Sequence, residues 1–224
     1  MHQSLAALRL CQLVSPALPI GAYNFSQGLE YAVDQGWLSD ETSCHAWISG
    51  LAEHAVGTLD IPLLLRLHQA WCDGDQATVQ VWSQRLIAAR ETAELRAEER
   101  HLGRSLAKVL VELQIDAAAQ WLQRDDASYA ALFALAAAHG GIDAITMSQG
   151  YLWAWAENQT LAAVKLLPLG QSAGQRVLDR LLLGIPAIVE RALTLQDEDI
   201  GVSSPLQAMA SAWHETQYSR LFRS

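Results

Sequence analysis

Three cysteines in 224 residues are too few for a disulfide framework or a zinc site, and Cys11, Cys44 and Cys72 are never spaced C-x-x-C. A reducing, cytoplasmic setting is therefore expected. The apolar run Leu181–Val189 is well short of the roughly twenty residues that cross a bilayer. The opening segment, MHQSLAALRLCQLV, is interrupted by Arg9 and has neither a basic start nor a small-residue cleavage site, so no signal peptide is expected. Blocks of like charge are missing too. The formal charge of −9 is spread along the chain, and at long range it opposes nucleic acid and anionic lipid as partners. There is no G-x-x-x-x-G-K-[ST] and no strand leading into G-x-G-x-x-G, so any nucleotide in this protein's work belongs to a partner. No repeat of fixed period suggests a solenoid.

Strand formers are also scarce. Val, Ile and Thr together make up about an eighth of the residues, whereas Ala and Leu make up about a third. Val177, Leu181, Ile185, Ile188 and Ala192 lie on one helix face, as do Leu106, Val109, Leu110 and Leu113. The pattern predicts an all-α, single multi-helix domain over 1–224. It places about nine or ten helices near 4–15, 25–35, 41–57, 60–72, 75–112 with a break at Thr92, 126–138, 142–166, 172–195 and 204–217. Ser4 and Asp40 are expected to cap their helices. Pro168 and Gly170 end the helix through Val164, and Pro186 predicts a kink or break. Ser15–Gly21 (SPALPIG) reads as a rigid loop and Gln196–Ser204 as a polar turn.

Gly170-Gln171-Ser172-Ala173-Gly174 fits the G-x-S-x-G nucleophile elbow, followed by Asp179 or Asp197 and then His214. That elbow needs a strand before the serine, and here a helical pattern and Pro168 precede it. A serine hydrolase using Ser172 is thus a minor alternative. The seven histidines never fall at the H-E-x-x-H spacing, so a metal site would have to be assembled from distant residues or shared across a dimer interface. Arg90–Arg104 reads as an exposed helix face with Arg90–Glu94 and Arg96–Glu99 pairs, or else as a docking face. Of the eight tryptophans, Trp153 and Trp155 face different ways on one helix, so one is a candidate for a helix or subunit interface. His214–Ser224 is dense in the residue types that anchor protein interfaces, and it docks either on its own domain or on another chain.

Four segments together resemble the UreF family of urease accessory proteins: Gln12–Glu30 (QLVSPALPIGAYNFSQGLE), Glu91–Gly103 (ETAELRAEERHLG), Val164–Gln175 (VKLLPLGQSAGQ) and His214–Ser224 (HETQYSRLFRS). Asn24 departs from the family, where serine is common. The resemblance implies an all-helical, non-enzymatic, homodimeric chaperone for urease maturation. It would act with UreD (also called UreH) and the GTPase UreG to couple GTP hydrolysis to nickel insertion into apo-urease, with nickel and GTP handled by the partners and no cofactor of its own; a direct nickel-binding metallochaperone, resting on the scattered histidines and thiols, is the alternative. It also shifts the 214–224 tail towards docking on UreD/UreH through Tyr218, Arg220, Leu221, Phe222 and Arg223. Tyr23, Gln27, Glu30 and Lys165 become the candidate UreG surface.

Overall fold

Helix starts are set by short polar side chains. The structure is a computed structural model that describes residues 2–201 and 204–224, with side chains from Ser4 onward. Asp40 opens helix α3 (Glu41–Leu51) with a capping box, accepting from the Ser43 N–H while the Ser43 hydroxyl accepts from the Asp40 N–H. Asp75 caps α5 (Gln76–Ala89), Thr92 caps α6 (Ala93–Glu112), Ser128 caps α7 (Tyr129–Gly140) and Asp143 caps α8 (Ala144–Leu166). The remaining α-helices are α1 (His2–Leu13), α2 (Leu29–Asp34), α4 (Ile61–Cys72), α9 (Gln171–Thr194) and α10 (Pro205–His214). No strand occurs among the described residues, and the fold is all-α as expected.

Four local expectations are corrected. Ser4 lies in the first turn of α1 rather than at its cap. The expected 25–35 helix begins only at Leu29, because Gln27 and Gly28 adopt left-handed φ values of 54° and 84°. Residues 41–57 and 60–72 form one continuous rod, joined by a wide-turn π segment over Ala52–Asp60. Finally, α9 runs unbroken through Pro186, which sits on its exposed face. There water can satisfy the Leu182 carbonyl, whose usual donor the proline ring lacks.

The central helix α7 is apolar all round. Its Ala130–Leu135 run is wholly buried, packed between α4 and α6. A second, smaller core joins α2, α3 and the end of α8 to α9 through Leu29, Ile48, Ala163 and Val177. The Glu41–Cys72 rod is long and apolar enough to cross a membrane by length and composition. However, 61% of its most apolar window is buried inside the fold, as in a core helix.

Candidate partner interface

The tail folds back onto its own chain. From Glu215 to Ser224 it forms no helix, so its backbone N–H groups need other acceptors. Glu30, on α2 and only 6% exposed, supplies them: its carboxylate accepts from the N–H of Leu221 (2.6 Å) and of Phe222 (2.9 Å). The same carboxylate lies 3.1 Å from His214 Nε2, while His214 Nδ1 lies 2.7 Å from Glu94 on α6. The ring, held through both nitrogens, ties α10 to α2 and α6. Glu94 also pairs with Arg220 at 2.9 Å. At the end of the tail the Arg223 N–H donates to the Asn24 carbonyl, and the Ser224 carbonyl accepts from the Ser26 N–H. The Ser224 hydroxyl donates to Glu98 at 2.9 Å.

This arrangement sorts the sequence candidates. Phe222 is buried, and Tyr218 and Leu221 point outward, fully and 66% exposed respectively. Arg220 and Arg223 are also at the surface. Lys165, at the end of α8, holds its ammonium 5.8 Å from the Tyr23 ring centre and 5.6 Å from that of Phe222, within reach of a cation–π contact. The two surfaces read separately from the sequence are therefore one. Gln27 and Glu30 lie underneath it: Gln27 donates to Glu98 and accepts from Trp155 Nε1, each at 2.8 Å. Any part these two play in recognition is by holding the tail. Trp155 is used in this way, and Trp153 packs partly buried between the two cores.

Below lies a cavity of about 110 Å³ whose lining includes Tyr23, Gln27, Asp60, Arg90, Glu98 and Glu99. The expected surface pairs of the Arg90–Arg104 stretch do not form. Arg90 is largely turned inward, bridging Asp60 (2.5 Å) and Glu99 (2.8 Å), and the Tyr151 hydroxyl donates to Asp60. Arg96 instead donates to the Arg90 carbonyl. Glu99 further accepts from the N–H of Tyr129 at the start of α7. Sequence reasoning missed this buried network, although Glu98 and Glu99 do fall on the Leu95–Leu102–Leu106 stripe of α6.

Burial pushes the Glu98 carboxyl up to about 7, while hydrogen bonds from Gln27 and Ser224 pull it down. The folded chain thus holds a proton there that the unfolded chain has released above its ordinary value of 4.5. The resulting stabilisation is fully present below about pH 4.5 and is lost as pH rises through 7. Glu98→Gln keeps the polar contacts without the charge. It is expected to match the wild type at pH 5, to melt higher at pH 8 and to flatten the profile between. An unchanged pH slope in melting curves would show that another group carries it.

The hydrolase arrangement does not assemble. Ser172 is exposed in the first turn of α9, and His214 is fully buried between its two glutamates. Among the described residues no group of three or more His, Cys, Asp or Glu side chains could hold a metal ion.

The UreF family profile matches residues 38–182. The chain belongs to the UreF family. Over 223 residues it is 50% identical to the urease accessory protein UreF of Alkalilimnicola ehrlichii, covering all of this chain and 98% of that relative. The UreF of Hahella chejuensis is 48% identical, covering 98% of this chain and 99% of its own. Family membership thus joins the fold expectation in being met, and the joined Tyr23–Lys165–Phe222 surface can be read as a feature of a UreF protein.

Proposed function

We propose that this UreF protein is a non-catalytic accessory chaperone of urease maturation. In this reading it works in the cytoplasm as a homodimer, with UreD/UreH and the GTPase UreG, to couple GTP hydrolysis to nickel insertion into apo-urease. The tail presents Tyr218 and Leu221 to UreD/UreH. The Tyr23–Lys165 side presents a rigid aromatic ring and a compact charge to UreG. The observation that carries the reading is the tail held in place by Glu30, Glu94 and Glu98 with Tyr218 and Leu221 left outward. Such preorganisation lowers the ordering cost of docking, and an exposed Tyr beside arginine is typical anchor chemistry, with Leu221 adding apolar area.

Pull-down by UreD and by UreG, with urease activation as the functional readout, tests it. Tyr218→Ala with Leu221→Ala is expected to lower UreD capture at least tenfold at an unchanged melting temperature. Lys165→Ala is expected to lower UreG capture. Undiminished capture of both partners would overturn the assignment.

A further inference from the structure

On the face formed by α5, α6 and the loop before α7 lies a groove of about 580 Å³ that the proposed interface does not use. Gln84, Ile87 and Ala88 form its α5 side, and Arg96 and Arg100, one turn apart on α6, form the other. Arg124 closes the end, gripping Asp126 in a two-pronged pair at 2.7 and 2.8 Å. Nearby, Arg104 pairs with Asp125 at 2.6 Å. Arg96 and Arg100 are held differently. Arg96 donates to the Arg90 carbonyl at 2.6 Å and Arg100 to the Asp125 carbonyl at 2.8 Å. Neither pairs with a carboxylate among the described residues. Three guanidinium groups thus line the groove against two carboxylates, an excess of positive charge on a chain whose formal charge is −9.

We infer that this groove docks an acidic segment of a partner protein, one that presents two carboxylates about 5–6 Å apart, the spacing of side chains one helical turn apart. A guanidinium has five N–H donors in a planar fork. The backbone carbonyls fix Arg96 and Arg100 through one donor each, which leaves the others preset for a carboxylate at little entropic cost. Ala88, with no side chain beyond Cβ, keeps the α5 wall low, and Ile87 gives an apolar base for the methylenes of a bound glutamate. The chain's overall negative charge disfavours a nucleic acid, whose uniform charge extends beyond this small positive island.

Fluorescence anisotropy of the full chain with a labelled glutamate-rich helical peptide tests the inference, with the glutamine counterpart as control. The glutamate peptide should bind at least tenfold more tightly than the glutamine one, and raising the salt should weaken it. Arg96→Gln with Arg100→Gln should cost at least tenfold, whereas Arg104→Gln, whose charge is already paired, should change binding less than threefold. Equal binding by the double variant, equal binding of the glutamine peptide, or tighter binding of a single-stranded RNA of the same charge would each overturn it. If the double variant fails to fold, Arg100→Glu alone decides: it should lose the glutamate peptide and gain a lysine one, and any other result overturns the inference.

Discussion

Arg90→Ala is expected to destabilise the fold by about 3–5 kcal/mol, the usual cost of removing one partner from a buried ion pair. Arg90 is the only cation bridging Asp60 and Glu99 among the described residues, and both carboxylates are nearly sealed from water. Without it, two negative charges face each other beside a small cavity. The damage would spread. Asp60 ends the π segment and accepts from Tyr151, while Glu99 accepts from the N–H of Tyr129 at the start of α7. Urea denaturation at neutral pH measures the loss. Adding Asp60→Asn and Glu99→Gln to Arg90→Met should recover much of it, because a buried ion triad replaced as a unit leaves no orphan charge. If the triple variant is as unstable as Arg90→Ala, the damage lies in packing rather than in charge.

The same network shows where the sequence was readable and where it was not. Caps are local chemistry, so Asp40 marked its helix correctly where Ser4 did not, the break expected at Thr92 falls where α6 begins, and the α8–α9 turn lies where Pro168 and Gly170 put it. The stripe Val177–Ala192 faces inward as its spacing requires. The charges of Arg90–Arg104 were harder. Pairs at i, i+4 look the same on an exposed or a buried face, and what buries Glu98 and Glu99 comes from distant segments: Gln27, Tyr129 and the tail. The readable clue was the pair's place on the Leu95–Leu102–Leu106 stripe, where a carboxylate needs a partner. The tail was harder still. Its composition said only that it docks; the acceptors for its N–H groups lie on a helix nearly two hundred residues earlier, and no local pattern reveals such a match. The joining of Tyr23, Lys165 and Phe222 likewise follows from three separate segments.

Gly103→Ala should be nearly as damaging, for a purely steric reason. A Cβ on Gly103 would stand 2.1 Å from the Ala127 carbonyl oxygen and 2.8 Å from two more backbone carbons of the loop that caps α7. Alanine gains up to about 1 kcal/mol of helix propensity over glycine, but here the obstacle is the Ala127–Ser128 backbone, so no side chain can swing aside. Pushing α6 and α7 apart would stretch the Glu99 bond to the Tyr129 N–H and unseat Ser128, whose hydroxyl caps α7 and bonds Ser83 of α5. A loss of about 3 kcal/mol or more is expected, at the upper end for overpacking. Gly184→Ala is the matched control: it sits inside α9 with open space where its Cβ would go, so the propensity gain should appear unopposed as a slight stabilisation. Opposite signs for these two alanines in one denaturation series would locate the effect at the α6–α7 contact; a stabilised Gly103→Ala would mean that the two helices can part without cost.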